Sequence, residues 1–458
     1  MPRSRRLLAL AWLAGFTLID ASIVSLALPD IAADFGRPVG EIAWVATGYL
    51  LALAATLLAA GRLSDRYGMR RVLVLGAMAF FITTVACGLA PSFELLVASR
   101  VVQGMAGGVL YTVSLAIAVT AYPPERRASA LAIYFTSGAL GAVIGPVIGG
   151  LLTDLGGWRL VFLAQLPLPL AVAVAAWVLR PRTGAEQKRH FDVLGIAAAS
   201  LFVVAGTFAL LELPVAGAST RVVLGGLVAA CALGAFVFIE GRTQEPAVRL
   251  EIFRNARFVV GSAAGAAAWF AIMSGTIFPA LYLQLGRGFS ATEAGILLLA
   301  APLVGLAFFP VAGRVVGGLG VDRALLIGLV MLAGSAAAMA AWDGTTQPWL
   351  IVLTNLVNGA GIALTLVASA TDALSQFAPT EAGTGSALFN SLRQLGAAMG
   401  VALPAVAFEL LAAGSQGPDS ALSGSSAAFV TRLVVLTIPL ILVAARSRAR
   451  PARAEAAA

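Results

Sequence analysis

Residues that build metal and redox centres are nearly missing. In 458 positions there are two cysteines and one histidine. Cys87 and Cys231 both fall inside apolar runs and His190 lies in a charged loop, so neither a disulfide nor a metal or haem site is expected. Charge is also scarce: 11% of residues are Asp, Glu, Lys or Arg, against roughly 25% in soluble proteins. That excludes a water-soluble globular chain. No glycine-rich loop ends in Lys-Ser or Lys-Thr, so a nucleotide motor is excluded and an ion gradient is left as the energy source. No soluble domain carries a basic patch. The net charge of +8 and pI near 10.3 come from arginines in short loops between apolar runs, which speaks for membrane topology and against a nucleic-acid partner. Polar groups are nowhere clustered as an active site would need, so neither an enzyme nor a cofactor is expected.

What is present is apolar length. Hydrophobic residues make up 60% of the chain and the mean hydropathy is +0.94. A membrane helix needs about 20 apolar residues. Fourteen such spans are predicted, at 8–28, 42–61, 72–90, 93–119, 128–150, 159–180, 193–213, 221–240, 257–284, 291–313, 324–342, 348–371, 383–411 and 427–445. The start, MPRSRRLLALAWLAGF, has the basic-then-apolar look of a signal peptide, but the apolar run continues to Pro29 and reads as a retained first helix. With the N-terminus inside, the outside segments hold only Arg37, Arg159, Arg221, Arg287 and Arg432, and most other arginines fall inside. This bias predicts cytoplasmic N- and C-termini and an even number of spans.

A repeat organises the spans. GRLSDRYGMRR at 61–71 follows the second span and GRVVGGLGVDR at 313–323 follows the tenth. Gly61, Arg62, Gly68 and Arg71 match Gly313, Arg314, Gly320 and Arg323 at one offset of 252. Two six-helix bundles are expected at 1–180 and 257–446, with an inserted two-helix segment at 181–256 and a structureless cytoplasmic tail at 447–458. The segment 412–426 reads as a mobile polar loop. Parallel halves of this kind hold substrate between them near the bilayer midplane.

Further stretches carry specific patterns. GALGAVIGPVIGG at 138–150 places Gly141, Gly145 and Gly149 in one column of a helix face, with Gly150 beside it. Such a column admits close helix approach, and Pro146 bends the helix next to it. That suits a hinge at a joint between bundles, or a static packing groove. IDASIVSLALPDI at 19–31, RVVQGMAGG at 100–108, GWRLVFLAQLP at 157–167 and SALFNSLRQLGAAMGVA at 386–402 complete the set. Together with GRLSDRYGMRR and GALGAVIGPVIGG, these resemble the signatures of the fourteen-helix drug:proton antiporter branch of the major facilitator superfamily. The departures are Ser25 and Gln165, where that branch usually has Asn, and the lack of a buried carboxylate in 257–313, where Glu293 sits at an edge. The last departure argues against dications as cargo.

The resemblance implies an all-α major facilitator fold and a proton-coupled multidrug efflux antiporter of the bacterial inner membrane, working by alternating access and exporting lipophilic, cationic compounds. A dedicated exporter of one metabolite or self-made antibiotic is the nearest alternative; a symport importer or a membrane enzyme fits less well. The expected partners are small-molecule substrate, protons and lipid, and the expected state is a monomer. Asp20 and Arg100 both fall deep in the membrane, Asp20 about 18 Å along its helix at 1.5 Å per residue. Burial disfavours a charged carboxylate and a nearby cation favours it, so a proton and a substrate can compete there. A static ion pair is the plain alternative. Glu409 is either a second proton carrier or a side chain reaching for the interface. Asp65, with Gly61, Arg66, Gly68, Arg70 and Arg71, forms a candidate gating latch, accepting hydrogen bonds from arginine forks or a helix N-terminus. Asp20, Tyr49, Gln103, Trp269, Asn390 and Gln394 are candidate substrate contacts, each with helix packing as its alternative role.

Overall fold

The computed structural model describes residues 3–16, 19–25, 27–37, 39–179, 192–216, 219–243, 248–289, 291–412 and 418–455. His190 and most of the loop around it lie outside these, as does the side chain of Pro146. Among the described residues the structure consists of helices joined by short turns, with no strand. The order is α1 Arg3–Phe16, α2 Asp20–Ser25, α3 Leu28–Phe35, α4 Val39–Tyr67, α5 Met69–Gly88, α6 Phe93–Thr120, α7 Arg127–Leu163, α8 Pro167–Leu179 and α9 Val193–Ala216. There follow α10 Thr220–Glu240, α11 Ala256–Leu281, α12 Ala291–Leu298, α13 Ala300–Leu319, α14 Val321–Ala340, α15 Pro348–Leu374, α16 Ala382–Ala412 and α17 Pro418–Glu455.

Thirteen helical stretches are long and apolar enough to cross a membrane. They match the second to fourteenth expected spans one for one. The expected first span, 8–28, falls instead on separate helices α1 and α2, with 17, 18 and 26 outside the described residues. α3 then starts with a proline in its first turn and stops at Gly36, whose φ of 60° turns its N–H back to Ala32 O. Two other expectations are corrected. Residues 418–426, read as loop, open α17, and the tail is helical to Glu455 rather than structureless. Alanine and arginine are strong helix formers and carry α17 on beyond its apolar core.

The chain forms two compact units. The first comprises 1–204, 229–250 and 377–391; the second comprises 205–228, 251–376 and 392–458. In the first unit α4 and α6 touch backbone to backbone. A Cβ on Gly104 would strike the carbonyl of Tyr49, and one on Gly108 would lie 2.7 Å from Leu53 O. In the second unit Gly359 on α15 meets the carbonyl of Ala301 on α13 in the same way. Residues 49 and 301 stand 252 apart, the offset of the sequence repeat. The repeat holds in the backbone as well. Gly68 between α4 and α5 has φ 88°, and Gly320 between α13 and α14 has φ 82°, a region that side-chain-bearing residues avoid.

One turn inside α7 explains how two spans share one helix. Gly156 and Gly157 break it, Gly157 with φ 70° and ψ 178°, a combination open essentially to glycine alone. The inserted pair α9 and α10 meets where Gly225 faces Ala209. Its large side chains, such as Leu194, Leu224 and Phe238, are exposed. In a membrane such a surface faces lipid, which solvates it as well as protein does.

Candidate functional site

α2 has only six residues and opens with Asp20. Its seat is the glycine face of α7: a Cβ on Gly149 would lie 2.6 Å from Ile23 O, and one on Gly141 3.4 Å from Ile19 Cβ. The glycine column thus brings α7 against the segment that carries Asp20, within one unit. Gly145 is buried and Gly150 half-buried on the same helix.

Arg100 on α6 meets Asp20 there. Its Nη1 donates to Asp20 Oδ2 and to Gln103 Oε1, each at 2.6 Å, and its Nε donates to Val45 O at 2.9 Å. Gln103 Nε2 donates to Thr84 Oγ1 at 2.8 Å, and the Cys87 thiol lies 3.6 Å from Gln103 Oε1. The guanidinium lies over the ring of Tyr49 at 4.2 Å and near Phe162 at 5.7 Å. Asp20, Gln103 and Tyr49 are 0% exposed and Arg100 is 1% exposed. Ile19, Ile23, Val24, Val45, Leu96 and Phe162 belong to the apolar cluster on this side. Of the sequence candidates, the structure therefore brings Asp20, Arg100, Gln103 and Tyr49 into one sealed cluster. Two of its oxygens, Asp20 Oδ1 and the Tyr49 hydroxyl, are buried with no hydrogen bond among the described residues. A buried acceptor without a donor costs about 1–3 kcal/mol, and a proton on Asp20 Oδ1 would change that balance.

The latch residues make a second cluster. Asp65 lies at the end of α4 and faces the first turn of α16. Its Oδ1 accepts the Gly383 N–H at 2.9 Å; its Oδ2 accepts the Thr384 N–H at 2.8 Å and the Thr384 hydroxyl at 2.7 Å. Of the two kinds of partner expected for Asp65, the structure shows these bonds to a helix N-terminus. The backbones meet closely here. A Cβ on Gly61 would lie 2.5 Å from Gly383 O, and one on Gly383 would overlap the Ser64 hydroxyl. Arg66 lies over the Tyr67 ring at 5.3 Å and Arg70 over Trp177 at 4.4 Å. Arg71 lines an apolar groove of about 550 Å³ with Thr56, Tyr67, Leu75, Met105 and Val109.

The remaining candidates stand elsewhere. Trp269 on α11 lies under the Arg393 guanidinium at 4.9 Å. Asn390 is buried, Gln394 half-buried and Glu409 exposed, all on α16. Asp34 is better held than an acid in an open loop. Hydrogen bonds from Arg159 at 2.7 Å and from Trp158 at 3.0 Å keep its carboxyl below the usual carboxylate range.

Sequence reasoning missed two arrangements. Arg446 on α17 bridges Asp372 on α15 and Asp322 on α14; the position of Asp322 inside the repeat at 313–323 was the available signal. Arg432, counted among the outside arginines although the expected span 427–445 contains it, is 0% exposed within α17.

Multiple apolar spans, an internal repeat and a buried ion pair together define a multi-pass membrane transporter of the repeat-built kind. The family model of the Major Facilitator Superfamily matches residues 10–401, and the chain belongs to that superfamily. It is 34% identical to the tetracenomycin C resistance and export protein of Streptomyces glaucescens over 409 residues, covering 87% of this chain and 74% of that one. It is 30% identical to multidrug resistance protein Stp of Mycobacterium tuberculosis over 389 residues, covering 84% and 72%. Among solved structures, the human organic anion transporter MFSD10 superposes with a TM-score of 0.68 at 18% identity, covering 97% of this chain and all of that one. That last likeness is one of fold alone.

Proposed function

We propose that the protein exports lipophilic small molecules in exchange for protons, with Asp20 as the proton-binding group. The observation that carries this is the sealed Asp20–Arg100 pair, joined at 2.6 Å with one carboxylate oxygen left without a donor among the described residues. When Asp20 takes a proton the ion pair is lost. Arg100 keeps Val45 O, Gln103 and the Tyr49 ring, while α2 is released from it. Because α2 lies on a glycine face, it can slide there without side chains interlocking. Protonation is thereby converted into movement of the segment that lines the site, and the two six-helix halves open alternately to each side. Asp65 holds one gating state through the N-terminus of α16. Inward flow of one proton charge supplies about 2.3 kcal/mol per 100 mV of membrane potential.

Asp20 is already neutralised by Arg100, which weakens the expectation that the cargo must be a cation. The names of the relatives support export, and they divide between a dedicated and a broad range: one is a tetracenomycin C export protein, another a multidrug resistance protein. We favour the broad range, in a monomer of the bacterial inner membrane with both termini cytoplasmic. The arginine bias supports that orientation. The test is purified protein in proteoliposomes with an imposed pH gradient. Adding transported dyes collapses the gradient for the native chain and not for Asp20→Asn; full exchange by that variant refutes the assignment.

A further inference from the structure

The second unit holds another buried guanidinium, with quite different surroundings. Arg432 is 0% exposed, yet among the described residues no carboxylate pairs with it. Its Nη2 donates to Asn358 Oδ1 on α15. Its Nη1 points at the Met339 thioether on α14, 3.2 Å away, a weak acceptor. Its Nε has no acceptor among the described residues. Among them, one of its three nitrogens therefore has an oxygen partner, and that partner is neutral. An unpaired charge inside a membrane protein is costly and marks a functional site by default.

The neighbours suggest what the charge receives. Gly275 on α11 lies against both polar groups: a Cβ there would fall 2.8 Å from Arg432 Nη1 and 3.1 Å from Asn358 Nδ2. Because Asn358 turns its oxygen to Arg432, its amide N–H groups are left as donors beside the guanidinium. Aromatic rings stand three residues along the chain from these groups: Phe278 after Gly275 on α11, Trp342 after Met339 just beyond the end of α14, and Phe429 before Arg432 on α17. Trp342 packs edge-on against Phe429 at 5.5 Å and beside Tyr282 at 5.1 Å.

We propose that Arg432 and Asn358, packed against the bare Cα of Gly275, form a subsite for the carboxylate of an aromatic acid, with the neighbouring rings receiving its apolar body. Arg432 is fully buried with no carboxylate beside it among the described residues, and an anion bound against the guanidinium lowers the cost of that charge. As a cargo site this rests on the export reading above, and it replaces the expected cation with an acid. As a binding site it stands independently of proton coupling.

The experiment measures equilibrium binding of three fluorescent probes to the purified full-length protein in liposomes: 9-anthracenecarboxylate, its methyl ester, and 9-(aminomethyl)anthracene. The native protein is expected to prefer the carboxylate. Arg432→Met weakens the carboxylate about tenfold or more, the loss of a charge-assisted hydrogen bond, and leaves the ester within about twofold. Arg432→Lys restores part of the difference, and Gly275→Ala weakens the carboxylate by displacing the Arg432 guanidinium, 2.8 Å from the added methyl. The thermal midpoint of ligand-free Arg432→Met does not fall, because a buried charge has been removed rather than a pair broken. Equal affinity for all three probes, equal loss of all three in Arg432→Met, no carboxylate binding by the native protein, or full displacement of the carboxylate by chloride alone would each overturn the proposal. Loss of pH-gradient coupling with this charge preference intact would instead count against the proton-exchange reading alone.

Discussion

Replacing Asp65 by asparagine removes one acceptor from the start of α16, and the consequence can be worked through atom by atom. The first backbone N–H groups of a helix have no partner within it. Those of Gly383 and Thr384 are taken by Asp65 at 2.9 and 2.8 Å, and the Thr384 hydroxyl adds a third bond at 2.7 Å. Asparagine has one oxygen in place of two. If that oxygen keeps Thr384, the amide NH₂ faces the Gly383 N–H, donor against donor. Losing one hydrogen bond to a charged group costs about 1.5–3 kcal/mol, roughly 10- to 150-fold in the equilibrium between held and released states. Hydrogen exchange resolved by mass spectrometry reads this directly in the peptide spanning 382–388. Exchange there should speed up by about tenfold or more in Asp65→Asn, with peptides of α11 unchanged, and transport should slow more than dye binding weakens. Unchanged exchange at Gly383 and Thr384 would refute the assignment of Asp65 as the holder of this helix.

Two further outcomes are expected. Gly149→Ala puts a methyl 2.6 Å from Ile23 O, where backbone cannot yield cheaply. It should destabilise the protein by about 1–3 kcal/mol and uncouple transport from the pH gradient, read by thermal midpoint and proteoliposome assay together. Asp34 has its carboxyl lowered by Arg159 first and Trp158 second. Its contribution is therefore present above the ordinary carboxylate range and disappears as pH falls through its own lowered value. The gap in thermal midpoint between the native chain and Asp34→Asn should narrow as pH falls from about 7 through and below the ordinary carboxylate range, and a gap independent of pH would contradict the hydrogen-bonded geometry.

The spans were legible in the amino-acid order because each must satisfy its own backbone and hide its own polarity in lipid, whatever its neighbours do. Thirteen of the expected helices appear for that reason, and the repeat at 61–71 and 313–323 survives as matching turns at Gly68 and Gly320. The pairing of Asp20 with Arg100 was also within reach, since two opposite charges at similar depth have few other ways to lower their cost. Partner choice between distant segments was not legible. Nothing local in Asp65 names Gly383 and Thr384, more than 300 residues further on. Arg432 lay inside the expected span 427–445, but its burial without a carboxylate among the described residues depends on three other helices arriving around it. Apolar length and periodicity are properties of one segment. Which donor meets which acceptor is settled only when helices pack, because a hydrogen bond needs both atoms within about 3 Å in one orientation.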